Sequence, residues 1–150
     1  MKHLNWTLLI WLLFTGIAHS QVGNYDHIEP YGTHAKGWAL VLKDDKFGFI
    51  DKNGDLLVPV EYDHIETFGT HGMMWALVLK DDKFGFINTN GDLVVPVEYD
   101  HIEKYGLHQK GRALVQKNGK FGFIDTNGEV VVAVENDESD LLKPEKKLRH

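Results

Sequence analysis

The chain has 150 residues, no Cys, and 16 basic against 22 acidic side chains, a net charge of −6. Its only Ser residues, Ser20 and Ser139, flank a long repetitive middle, which therefore lacks any Cys or Ser nucleophile for covalent catalysis. Arg occurs only at Arg112 and Arg149, and an acidic surface repels nucleic acid and anionic lipid, so nucleic acid is not an expected partner.

The chain opens with Lys2 and His3, an apolar run from Thr7 to Ala18, and the small residues Ala18 and Ser20 on either side of His19. This is the layout of a secretory signal, residues 1–20, with cleavage after Ser20. The run holds 12 residues, and a bilayer span needs about 20, so no membrane span is expected after cleavage. Removal of Lys2 leaves 15 basic against 22 acidic side chains, a net charge of −7. Without Cys, no disulfide stabilises the exported chain, and stability has to come from packing.

After a lead-in over 21–24, one unit of 37 residues recurs three times, at 25–61, 62–98 and 99–135, each time opening Tyr-Asp-His-Ile-Glu. The first and second units are identical at 29 of 37 positions and the second and third at 23. Such periodicity marks an array whose units bury apolar surface against their neighbours. Within the first unit, Trp38 to Lys43, Lys46 to Asp51 and Leu56 to Tyr62 are short aromatic and aliphatic runs, divided by Asp44-Asp45 and by Asn53-Gly54. They predict three strands joined by tight turns, with the positive φ angles of type I′ hairpins expected at Asn-Gly. Pro59 and Pro96 predict a break in the third strand, because Pro cannot donate a ladder hydrogen bond. Gly48, Gly85 and Gly122, alone inside strands, predict a bulge or a close chain approach. The paired acids Asp44-Asp45 and Asp81-Asp82 read as turn residues, since Asn118-Gly119 replaces them in the third unit.

Lys46-Phe-Gly-Phe-Ile-Asp51 with Gly54, then Val58-Pro59, Tyr62-Asp63, Phe68-Gly69 and Ala76-Leu-Val78, resembles the WG repeat, also called the KWG repeat, of bacterial proteins. The likeness extends over all three units, although Phe47, Phe84 and Phe121 stand where the family usually has Trp or Tyr before Gly. It implies a β-rich tandem array, often exported, with no shared catalytic residues. A periplasmic or secreted bacterial protein is the expected setting.

Alternation divides the first strand of each unit into two faces. Ala39 and Val41 recur in all units, whereas Trp38, Leu40 and Leu42 become Arg112, Leu114 and Gln116 in the third. The constant face is the expected core. The changing face is read in two ways: as an end cap meeting water, preferred because terminal units are atypical, or as an aromatic binding face of Trp38, Trp75, Tyr31, Phe68 and Tyr105, since exposed aromatics stack sugars and peptides. Two His rows, His27, His64 and His101, and His34, His71 and His108, recur beside Asp and Glu and offer a metal-binding alternative.

The tail, 136–150, is charged, imitates the start of a fourth unit at Asn136-Asp137, and is expected to be ordered up to Leu142. The expected fold is all-β: three tandem meanders in an open array, with a closed pseudo-threefold trefoil as the alternative. The expected function is a non-enzymatic module, without cofactor, that binds an envelope protein or glycan. The alternatives are a metal-dependent enzyme or metal-binding protein on the His rows, and a structural spacer.

Overall fold

The structure is a computed structural model that describes residues 23–142. The signal reading of residues 1–20 lies outside that range. In the first unit, β1 (His27–Ile28), β2 (Trp38–Lys43), β3 (Lys46–Asp51) and β4 (Leu56–Tyr62) form an antiparallel sheet in that order. The second sheet holds β5 (His64–Ile65), β6 (Ala76–Lys80), β7 (Lys83–Ile87) and β8 (Leu93–Tyr99). The third holds β9 (His101–Ile102), β10 (Arg112–Lys117), β11 (Lys120–Asp125) and β12 (Val130–Asn136), and a one-turn helix, α1 (Glu138–Leu141), follows.

Each unit thus has four strands where the apolar runs predict three. The addition is the two-residue strand of the Tyr-Asp-His-Ile-Glu segment, paired to its unit's next strand as His27 to Leu42 and Ile28 to Val41. Two residues are too short to show a period of two, so only the partner strand makes them a strand. The sheets remain separate, with no ladder joining one to the next, so the array is open and the trefoil alternative does not form.

Type I′ geometry belongs to the Asp-Asp turns and not to every Asn-Gly. Asp44 and Asp45 have φ of 50° and 61°, and Asn118 and Gly119 have 52° and 75°. At Asn53-Gly54 only Gly54 is left-handed, at 87°. There Asp51 organises a longer turn: its carboxylate accepts from the N–H groups of Asn53 and Asp55 at 2.8 and 2.9 Å, the Asx pattern that short acidic side chains favour.

The break expected at Pro59 does not form, since β4 runs through it, but the third strand is bulged, as Gly48 predicts. Phe47 pairs with Tyr62, Phe49 with Val58 and Ile50 with Leu56, so extra residues accumulate on β4. Gly48 faces this bulge. A Cβ there would lie 2.6 Å from the Val58 carbonyl oxygen, so the sheet needs Gly at that point.

The sheets stack face to face. Leu40, Phe49, Val58 and Tyr62 of the first sheet share one buried cluster with Ile65, Ala76, Val78 and Ile87 of the second. One unit later, Leu77, Phe86, Val95 and Tyr99 meet Ile102, Ala113, Val115 and Ile124. Both faces of the middle sheet are therefore core. The reading of a single core face is corrected: Leu40, Leu77 and Leu114 are buried beside Ala39, Ala76 and Ala113. The sequence sign of double burial was the unbroken run Ala-Leu-Val, which alternation alone misassigns.

Candidate functional site

Every unit junction is built from the same parts. Trp38, at the start of β2, packs against Phe49 with ring centroids 5.4 Å apart, and Phe68 of the next unit meets Trp38 edge-on at 5.8 Å. Trp75, Phe86 and Tyr105 repeat the arrangement at 5.8 Å for both pairs. Tyr105 adds a hydrogen bond, its hydroxyl donating to the Asp125 carbonyl at 3.0 Å, and burial raises its pKa. Four of the five candidate aromatics thus meet in two junction clusters rather than forming one aromatic row. Tyr31, at the corresponding place in the first unit, meets no Trp ring among the described residues and is 42% exposed. Arg112 occupies the third Trp position, where it donates to Gln109 at 2.8 Å and lies across the strand pair from Asp125.

The six His of the two rows do not converge. His27, His64 and His101 lie on exposed positions of the short strands. His34 and His108 each bond the Glu five residues earlier, His34 to Glu29 at 3.0 Å and His108 to Glu103 at 2.6 Å. His71 Nδ1 stands 3.2 Å from Glu66 Oε2, but both atoms are buried without a hydrogen-bond partner among the described residues. Burial lowers the His71 pKa, and the attraction of Glu66 offsets that only in part. Among the described residues no three His, Asp or Glu side chains come together as metal ligands. The second His row thus stands as three separate His–Glu pairs, while the first stays exposed. The period of 37 repeats each residue, but it does not set how far apart the copies stand.

The acids of the opening segments have a different task. Asp63 accepts from the Lys46 ammonium of the preceding unit and from the backbone N–H of Asp81, at 2.8 Å, in its own unit's hairpin turn. Lys46 is the main cause, and the Asp81 amide the second, that holds its pKa below the usual carboxylate value. Asp100 joins Lys83 and the Asn118 amide in the same way. Asp137 accepts from Lys120 at 2.8 Å, so the tail ends the array with the staple that a fourth unit would supply. A second ladder runs alongside: Lys80 pairs with Glu61 at 3.0 Å and Lys117 with Glu98 at 2.9 Å. The sequence signal of these links is the constant separation of 17 residues in Lys46–Asp63, Lys83–Asp100 and Lys120–Asp137.

The first junction opens into a cleft of about 410 Å³ lined by His34, Lys36, Trp38, Phe68, Met74 and Thr89. Met74 is 69% exposed at its rim. A family model described as WG containing repeat matches residues 47–84, 84–121 and 121–135. No curated protein and no solved structure matches the chain.

Proposed function

The chain belongs to the WG-containing repeat family, and from that premise we propose a non-enzymatic interaction module, exported through residues 1–20, that binds an envelope protein or glycan at the Trp38–Phe68 cleft. The observation that carries this reading is the cleft itself. It joins two aromatic rings, an exposed thioether, an imidazole and an ammonium within one concavity. Aromatic faces take sugar rings or apolar side chains, and the polar groups orient them. A binding role in place of catalysis is supported by the tasks of the acids, which hold turns and junctions together. Among the described residues no helix is long and apolar enough to cross a membrane.

Once residues 1–20 are removed, Trp38 and Trp75 are the remaining Trp residues, and both stand at junctions. Intrinsic fluorescence therefore reports directly on the proposed site. Titration with soluble peptidoglycan fragments, envelope polysaccharides and purified envelope proteins should yield a saturable shift with at least one of them. Met74→Glu should abolish that shift without changing Tm, because Met74 is exposed. A shift that Met74→Glu leaves intact, or none with any ligand, overturns the site. Export is tested by the mass of protein recovered from the periplasm, which should begin at Gln21.

A further inference from the structure

The last strand of each sheet is an edge, and the three edges are not protected alike. β4, β8 and β12 each end their sheet with one side unpaired. β4 and β8 carry Pro59 and Pro96 on that edge, both exposed, and Pro offers no N–H to an incoming strand. At the same place β12 carries Ala133, also exposed. The ladder to the neighbouring strand does without this N–H in the first two sheets, so in the third it is a surplus donor. The bulges thin the ladder as well: only Val130, Val132 and Asn136 of β12 keep a register with β11, although the Ala133 carbonyl is already taken by the Asn136 side chain at 2.7 Å.

The side chains around this backbone are apolar and capped by charge. Val130 and Val131 are 51% and 42% exposed, and Val132, Ala133 and Val134 continue the run. Beside it lies a groove of about 610 Å³ whose walls include Val130, Ala133, Val134 and Glu135, together with Lys117 and Lys120, whose charges are already met by Glu98 and Asp137. The corresponding groove one unit earlier is about 350 Å³ and Pro96 is not in its wall. Glu129 and Glu135, both exposed, bracket the run. In the earlier units the Glu at the place of Glu135 is paired by a Lys of the following sheet, Glu61 by Lys80 and Glu98 by Lys117. After β12 comes α1, and the Glu135 carboxylate has no partner among the described residues.

We infer that β12 is a strand-addition site for an extended peptide whose short apolar run is bracketed by basic residues. The apolar stretch and the freed backbone groups supply the ladder and the side-chain contacts of β-augmentation. The charges select the occupant. A second copy pairing antiparallel about Val132 would set Glu129 against Glu135 twice, and like charges directly opposite are destabilising. A peptide with Lys or Arg at both ends reverses that sign and restores for Glu135 the cation that Glu61 and Glu98 already have. This edge shares no lining residue with the Trp38–Phe68 cleft, so the two sites stand or fall separately.

The test uses the full-length protein and a fluorescently labelled peptide, Lys-Val-Thr-Val-Thr-Val-Lys, followed by anisotropy, with amide NMR shifts to locate it. Saturable binding that shifts the amides of residues 130–135 is expected, together with at least tenfold weaker binding of the Glu-bracketed counterpart. Ala133→Pro should abolish binding while Tm is kept, since Pro stands there in the first two units. Glu129→Lys with Glu135→Lys should invert the preference toward the Glu-bracketed peptide. The proposal is overturned by an absence of binding, by binding that Ala133→Pro leaves intact, or by equal affinity for both peptides. It is also overturned if the protein alone forms a dimer that Ala133→Pro disperses, or if the peptide binds only after Lys146→Ala with Lys147→Ala, which would make the chain's own tail the occupant.

Discussion

At Gly85 the sheet leaves no room for a side chain. A Cβ would lie 2.5 Å from the Val95 carbonyl oxygen and 3.0 Å from the Pro96 carbonyl group, and backbone cannot swing aside as a flexible side chain can. Gly85→Ala should therefore cost about 1–3 kcal/mol, the range for forced overpacking, measured as a lower urea midpoint with an unchanged slope. His71 makes a prediction of the other kind. Its folded pKa is lowered from 6.5, mainly by burial, so on acidification the unfolded chain takes up the proton before the folded one does. The stability that goes with neutral His71 is whole above about pH 6.5 and declines as pH falls below it. Urea titrations at pH 7.5 and pH 5.5 should show that decline, and His71→Asn should flatten it. Asp63, held down by Lys46 and the Asp81 amide, acts in a lower window: its contribution is present above 3.8 and is lost as pH falls through its folded value.

Between elements, the junction aromatics act as mortar. Phe49 and Phe86 are both 0% exposed, and truncation of such a ring leaves a cavity that stacked sheets cannot easily close. Phe86→Ala should cost about 3–5 kcal/mol in thermal or urea unfolding. A double-mutant cycle on Trp38→Leu and Phe68→Leu should return a coupling of about 0.5–1.5 kcal/mol, the range for edge-to-face pairs. A coupling near zero would mean that the rings merely adjoin. The Asn-Gly turns also reach across: Gly91 and Gly128 pack on the preceding unit's last strand, where a Cβ would lie 2.7 Å from the Leu57 oxygen and 2.6 Å from the Val94 oxygen. A turn that reads as local hairpin chemistry is therefore also a junction contact.

For the molecule as a whole, the stacking is head to tail, so each added sheet brings one new junction. Excision of residues 62–98 joins Glu61 to Tyr99 and keeps the 37-residue register. The shortened protein should keep its β-sheet circular dichroism and unfold at a lower temperature, having lost one sheet and one of two junctions. Loss of all structure would instead mean that three sheets are the smallest stable array.

The sequence alone determined the period, the bounds of the long strands in the first unit and the Gly positions of close approach, because turn residues and Gly act through local backbone sterics that residue order carries directly. It also carried the family, through Lys46-Phe-Gly-Phe-Ile-Asp51 and the motifs that follow it. Only tertiary structure decided that His-Ile is a strand, that both faces of the middle sheet are core, and that Trp38 and Trp75 serve the junctions. Tertiary structure likewise separated the His rows into pairs and left β12 as the edge without Pro. Each of these depends on what lies across a distance of one unit, and stacking geometry, unlike a turn, is not written in neighbouring residues.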